Sequence, residues 1–209
     1  MPDALTVAAL LLVVGPILGA IGVGADPGLY RVWTAPREEH LALVAARRRS
    51  WTLVNVGFTV ATVLTAAGLT ILAAVIDVAS GYRAALAAVA VAYAIAGVLW
   101  CAVLATRTPT TPILAGLVAA GSPTEPAEAL LGGLIGGLFT SFALTTALAL
   151  AVLGMVLALG GGVAAPVAWL AVLTGVGSVL WVARSGDMIP AVLYVPTLAL
   201  GIALLAGWT

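Results

Sequence analysis

The chain has very few charged residues and no lysine. Charged side chains make up 8% of its 209 residues, as eight arginines and eight acidic residues, whereas about a quarter of a typical soluble domain is charged. Without lysine, the chain cannot form the Schiff base of a retinal protein or the lysine contact of a P-loop. The composition therefore excludes these two classes and argues against a large soluble domain.

Cysteine and histidine are equally scarce, with one residue of each, Cys101 and His40. A single cysteine allows neither an internal disulfide nor a Cys-x-x-Cys redox pair. A single histidine cannot supply paired haem ligands or a histidine-rich zinc site. The Gly-x-Ser-x-Gly and His-Glu-x-x-His signatures of hydrolases are also missing. The sequence thus predicts no metal site and no cofactor.

Long apolar runs account for most of the chain. Hydrophobic residues make up 63% of it and the mean hydropathy is +1.23. A membrane-spanning helix needs about 20 apolar residues. We therefore predict an all-α integral membrane protein, a six-helix transmembrane bundle in a single domain over residues 1–209. The predicted spans are 4–24, 51–76, 84–105, 130–158, 164–183 and 189–208.

The arginines lie almost entirely in loops on one side of this arrangement. Seven of the eight follow the first, third or fifth span: Arg31, Arg37, Arg47, Arg48, Arg49, Arg107 and Arg184. Cytoplasmic loops carry the excess of arginine, which predicts a multi-pass cell-membrane protein with both termini outside the cytoplasm. The tryptophans near the inner boundary, Trp33, Trp51, Trp100 and Trp181, are typical of an interfacial aromatic belt.

Two features complicate the six-span pattern. Phe58-Thr59, Thr65-Ala66 and Val98-Leu99-Trp100 each recur 81 positions later, which indicates a duplication of spans two and three as spans four and five. Chance identity is high in a chain this rich in alanine and leucine, so the duplication stays an alternative. The apolar segment 112–120 is too short to span, and we expect it to lie in the interface or to re-enter the bilayer.

The first cytoplasmic loop is the most polar part of the chain. Nothing between residues 35 and 50 breaks a helix, so we predict an amphipathic helix that runs into the second span. Its arginines would bind anionic lipid head groups: Arg37, Arg47, Arg48 and Arg49. An alternative makes His40 with Glu38 or Glu39 an acid–base pair, although no second histidine supports catalysis.

Hydroxyl and amide side chains are the polar groups expected inside the spans. On the second span Asn55, Thr59 and Thr62 follow a helical spacing, and on the fourth span Thr140, Ser141 and Thr145 lie close together. Such groups either bond facing helices to one another or line a narrow polar path. Gly-x-x-x-Gly patterns predict close helix packing, at Gly15, Gly19, Gly132, Gly133, Gly136 and Gly137.

Three functions are compatible with these patterns. The favoured one is a non-catalytic protein, acting as a packing subunit, a scaffold or a lipid-interacting protein. The first alternative is passive or facilitated transport of a small neutral or amphiphilic molecule. The second is a lipid-modifying enzyme that uses the His40 and arginine loop. We expect the bilayer and anionic lipid at its cytoplasmic face as partners, with another membrane protein or a second copy as an alternative, and no nucleic acid.

Overall fold

The fold is entirely helical in the part of the chain that the structure describes. This computed structural model describes residues 3–24, 26–33 and 35–208, with all side chains in these ranges except those of Tyr30 and Glu38. Helix accounts for 88% of the structure, and the described residues form no strand. The all-α prediction is therefore confirmed.

Seven α-helices and three 3₁₀ segments follow one another along the described chain. The α-helices are α1 (Ala4–Gly24), α2 (Arg37–Ala46), α3 (Arg48–Val75), α4 (Arg83–Ala119), α5 (Glu125–Gly160), α6 (Ala165–Ser185) and α7 (Val195–Leu205). The 3₁₀ segments are Pro27–Trp33, Ser80–Tyr82 and Pro190–Tyr194.

Five of the described helices, α1, α3, α4, α5 and α6, are long and apolar enough to cross a membrane. The predicted sixth span is instead a shorter apolar helix over Pro190–Leu205. Proline accounts for this difference. Pro190 begins a 3₁₀ segment and Pro196 lies in the first turn of α7, where the missing N–H does least harm. The regular helix is therefore only 11 residues long.

The long helices and α7 form a closed ring. Each packs on two neighbours, in the order α1, α3, α4, α5, α6, α7 and back to α1. At one end, the Ala164 N–H bonds the Trp208 carbonyl and the Ala79 N–H bonds the Gly160 carbonyl. The opposite end holds the Pro27–Trp33 segment, α2 and the start of α3. This second end carries most of the arginines, and we call it the arginine-rich end.

Helices α4 and α5 are much longer than a bilayer requires. With 37 and 36 residues, each extends about 55 Å, against about 30 Å for the hydrocarbon core. The segment 112–120 does not form a separate interfacial or re-entrant piece, because all but its last residue continue α4. Pro109 and Pro112 lie inside this helix, where threonine hydroxyls bond the carbonyls of neighbouring turns.

The predicted amphipathic helix over residues 35–50 is broken near its end. Helix α2 ends at Ala46, and Arg47 has the non-helical angles φ −124° and ψ 37° before α3 begins. The break allows Val44 to be buried, with α2 packed against α4, while α3 enters the bundle. The guanidinium of Arg47 also bonds Asp26, 2.6 Å away, which holds the junction in place.

The Gly-x-x-x-Gly patterns of α1 and α5 differ in how closely they pack against a neighbouring helix. A Cβ at Gly15 would lie 2.8 Å from Thr65 Oγ1 and 2.9 Å from the Ala61 carbonyl, so α1 and α3 pack closely there. Gly19 also faces Ala61. The second pattern makes no such contact, because nothing lies within 4 Å of a Cβ built at any of its members, Gly132, Gly133, Gly136 and Gly137. The close helix contact predicted there is not made within the described chain.

Candidate functional site

Ion pairs join the short elements at the arginine-rich end. Arg31, in the 3₁₀ segment, pairs with Glu39 of α2. Arg37 of α2 pairs with Glu128 near the start of α5. These pairs are largely exposed, so each contributes under about 1 kcal/mol. Their effect is to fix α2 across the end of the bundle.

An open polar concavity lies at the junction of α2 and α3. It has a volume of about 420 Å³ and is lined by Asp26, Ala45, Ala46, Arg47, Arg48, Arg49 and Ser50. We call it the arginine pocket. Arg47 pairs with Asp26, whereas Arg48 and Arg49 make no ion pair within the described chain. Three arginines against one carboxylate give this pocket an excess of positive charge.

Asp26 is the acidic group on the wall of this pocket. A hydrogen bond from the Ser50 side chain, together with the Arg47 guanidinium, lowers the pKa of Asp26 below its ordinary 3.8. Both neighbours favour the ionised carboxylate. Asp26 is therefore negatively charged at neutral pH and keeps Arg47 engaged.

A second arginine site lies deeper, where α3 and α4 face each other. The Arg107 guanidinium carbon lies 5.3 Å from the ring centre of Trp33, 5.2 Å from that of Trp51 and 5.1 Å from that of Trp100. Each distance is within the range of a cation–π contact. We call these four residues together with Asn55 the tryptophan cage.

Two helices and the 3₁₀ segment build this cage. Trp51 and Asn55 are four residues apart on α3, and Trp100 and Arg107 are seven apart on α4, so each pair lies on one helical face. Arg107 Nε donates to Asn55 Oδ1 at 2.8 Å, and Asn55 Nδ2 donates to the Trp51 carbonyl at 2.7 Å. The amide of Asn55 therefore orients the guanidinium.

These positions correct two sequence-based predictions. The sequence predicts a loop at Arg107, but this residue lies within α4 and is half-buried. The sequence also predicts an interfacial belt position for Trp51 and Trp100, but they are only 2% and 0% exposed and face inwards. Trp100 also stacks on Phe142 with ring centres 4.8 Å apart. The i, i+4 and i, i+7 spacings were the sequence signal for this cluster.

His40, the candidate acid–base residue, supports the cage. Its Nδ1 donates to the Val32 carbonyl at 2.9 Å, and its ring meets the Trp51 ring edge-on with centres 6.0 Å apart. Glu39 is engaged by Arg31, and the Glu38 side chain lies outside the described residues. The described contacts therefore give His40 a positioning role for the 3₁₀ segment.

The hydroxyl groups predicted to form a polar path lie on two helices, α3 and α5, that are not neighbours in the ring. Helix α4 lies between α3 and α5 in the ring. Thr59 donates to the Asn55 carbonyl, and the buried Thr62 bonds Tyr194 Oη at 2.6 Å. On α5, Ser141 is exposed and Thr140 and Thr145 are half-buried. The described contacts thus give Thr59 and Thr62 structural roles within α3 and between α3 and the Pro190–Tyr194 segment.

An apolar groove of about 400 Å³ lies between α1, α3 and the start of α7. We call it the apolar groove. Its wall consists of Pro16, Gly19, Ala20, Val23, Gly24, Phe58, Ala191, Tyr194, Val195 and Leu198. The short α7 leaves this space beside the second half of α1. Gly24 of the groove and Asp26 of the arginine pocket are two residues apart, so their Cα atoms lie within about 7 Å.

Within the described chain, no three His, Cys, Asp or Glu side chains are grouped so that they could hold a metal ion. No protein-family model, no curated protein and no solved structure matches the chain. The functional argument therefore rests on the arginine pocket, the tryptophan cage and the apolar groove.

Proposed function

We propose that this chain is a non-catalytic, multi-pass cell-membrane protein that binds an anionic lipid at its cytoplasmic face. The observation that carries the proposal is the arginine pocket, where three consecutive arginines open onto one concavity with a single carboxylate on its wall. Arginine binds phosphate through paired N–H donors. Arg48 and Arg49, which have no ion-pair partner among the described residues, are the head-group ligands in this proposal.

The apolar groove supplies the second half of the proposed lipid site. It is lined mainly by aliphatic and aromatic side chains, and its lining residue Gly24 is two positions from Asp26 of the arginine pocket, so their Cα atoms lie within about 7 Å. A phospholipid combines an anionic head with an apolar tail, so it matches this pairing of charge and apolar surface. We place the head group against Arg48 and Arg49 and one acyl chain along Phe58.

Orientation follows from the arginine asymmetry. We propose that the arginine-rich end faces the cytoplasm, as the positive-inside rule requires. The Ala164 to Trp208 hydrogen bond lies at the opposite end, which supports placing the C-terminus outside the cytoplasm. In this arrangement Pro190–Leu205 completes a sixth, short crossing.

The internal duplication also remains a proposal. The helix pair α3–α4 would correspond to α5–α6, and each pair consists of neighbours in the ring. Thr65 and Thr146, which are related by the 81-residue offset, are both buried with an unpartnered hydroxyl. Trp100 and Trp181 have diverged, since Trp100 is fully buried and Trp181 is exposed.

The lipid proposal is tested with the double variant Arg48→Gln/Arg49→Gln. We expect the purified variant to retain about tenfold less phosphatidylglycerol than the wild type, because losing two head-group contacts costs about 1.4 kcal/mol or more. Native mass spectrometry measures the retained lipid. The matched control is Arg184→Gln, which removes one positive charge from the last turn of α6, outside the arginine pocket.

The control variant should retain the wild-type amount of phosphatidylglycerol. Phosphatidylcholine, which carries no net charge, should be retained equally by all three proteins. If the double variant retains as much phosphatidylglycerol as the Arg184→Gln control, the arginine pocket is not the head-group site and the proposal fails.

A further inference from the structure

The tryptophan cage contains N–H donors that have no acceptor. Arg107 Nη2 and Trp51 Nε1 are shielded from solvent and have no hydrogen-bond partner. A buried donor without an acceptor costs about 1–3 kcal/mol, and more when it is charged. The amide oxygen of Asn55 already accepts from Arg107 Nε. The cage therefore has more donors than acceptors.

The positive charge of Arg107 is also without a counter-charge. None of the ion pairs among the described residues includes it. The three ring faces stabilise the cation through their quadrupoles. The ring faces do not replace a hydrogen-bond acceptor. The N–H donors of a guanidinium lie in the plane of that group, whereas the rings lie over its faces. What the cage lacks is a negatively charged acceptor beside Nη2.

We infer that the tryptophan cage is a binding site for an oxyanion, a phosphate or a carboxylate, with Arg107 Nη2 as its donor. Asn55 accepts a hydrogen bond from Arg107 Nε. The guanidinium group is therefore already oriented before the anion binds. The ring faces of Trp51 and Trp100 keep the cation in place when the site is empty. The site is distinct from the arginine pocket and does not depend on the proposed lipid function.

The structure indicates the side from which the anion enters. Trp33 is 42% exposed, whereas the other two tryptophans of the cage are almost fully buried. Trp33 is the last residue of the 3₁₀ segment, which is held by the bond from His40 to the Val32 carbonyl. Trp33 is thus the outermost wall of the cage, and the anion would reach Arg107 beside it at the arginine-rich end.

The decisive variant is Asn55→Asp. It places a carboxylate where Arg107 already has an amide partner, so the guanidinium gains an internal counter-charge, while the bond from Asn55 Nδ2 to the Trp51 carbonyl is lost. In a purely structural cage this change would alter the stability of the fold and nothing else. An oxyanion site would in addition lose its ligand, because the bound anion would meet a second negative charge.

The probes are inorganic phosphate, acetate and vesicles of phosphatidylglycerol, with phosphatidylcholine vesicles as the neutral reference. Binding is followed by tryptophan fluorescence in a background of Trp169→Phe, Trp181→Phe and Trp208→Phe, three exposed positions outside the cage. We expect saturable binding to this background, and about tenfold weaker binding after Asn55→Asp or Arg107→Gln. The control variant Arg184→Gln, whose arginine lies in the last turn of α6 and outside both arginine sites, should keep the phosphate response.

The probes also identify the source of the anion. A response to phosphate or acetate supports a free anion, and a response to phosphatidylglycerol alone supports a lipid phosphate. The inference is overturned if no anionic probe gives a saturable response, or if Asn55→Asp binds as the background protein does. Failure of the lipid proposal would appear instead in the Arg48→Gln/Arg49→Gln experiment, so the two outcomes are distinguishable.

Discussion

Two arginine sites lie at the same end of the bundle, but their surroundings are opposite. In the arginine pocket, Arg47, Arg48 and Arg49 are exposed and a carboxylate is within reach. In the tryptophan cage, Arg107 is enclosed by three indole rings and one amide. Exposed charges contribute little to stability and are free for recognition. An enclosed charge stabilises or destabilises the fold strongly, according to how well it is paired.

The largest expected difference between the two sites is in stability. We predict that Arg107→Ala lowers the free energy of unfolding by about 3 kcal/mol, because it removes three cation–π contacts and leaves the Asn55 oxygen without a donor. Arg48→Ala should lower it by less than about 1 kcal/mol. Thermal unfolding in one detergent measures both changes.

A double variant sharpens this contrast. Arg107→Met with Asn55→Leu replaces the buried polar pair by apolar groups of similar size, which is often nearly neutral for stability. A midpoint close to that of the wild type would show that stability does not require this polar pair. If Arg107→Ala and Arg48→Ala lower the free energy of unfolding equally, the contrast between an enclosed and an exposed arginine is wrong.

Added salt should affect the two arginine sites differently, and this difference should be smaller than the difference in stability between the substitutions. The Debye length falls to about 10 Å at 0.1 M salt and to about 3 Å at 1 M. We therefore expect added sodium chloride to weaken retention of phosphatidylglycerol at the arginine pocket several-fold. The thermal midpoint of the lipid-free protein, which depends on the enclosed Arg107, should change little. A midpoint that falls in parallel with lipid retention would contradict this prediction.

The smallest expected effect concerns pH and Asp26. Because the pKa of Asp26 is lowered in the folded protein, its ionised form stabilises the fold above the ordinary value of 3.8. This contribution is lost as the pH falls through the lowered pKa. Asp26→Asn should remove that acid dependence. It should also increase phosphatidylglycerol retention a few-fold at neutral pH, since Arg47 becomes free. Unchanged retention would show that Arg47 is not available to the head group.

The sequence predicts the general architecture well, because the apolar runs are long and their lengths are set by the bilayer. Helices α1, α3 and α6 begin and end close to the predicted boundaries. The predicted end of the third span was wrong. An arginine followed by Pro109 and Pro112 is typical of a helix end, but α4 continues through them to Ala119.

The tryptophan cage could not be predicted from composition, because belt and core tryptophans have the same neighbours in sequence. Trp100 is buried because it contacts Phe58 of α3 and Phe142 of α5, whereas Trp181 is exposed on α6. The Gly-x-x-x-Gly patterns carry the same ambiguity. Gly15 lies against α3, while Gly133 and Gly136 have nothing within contact distance of a built Cβ. The spacing of the glycines allows a close helix approach, and only the tertiary packing determines where one occurs.

The length of α4 and α5 has a practical consequence. Both exceed the 21-residue α6 by about 22 to 24 Å at 1.5 Å per residue, and the turn that joins them includes Gly121, with φ +71°. A small rigid domain inserted at Gly121 would be carried on two helices that continue into the ring. Such a fusion would give a protein of 20.8 kDa enough mass and asymmetry for particle alignment in electron cryomicroscopy, without touching either arginine site.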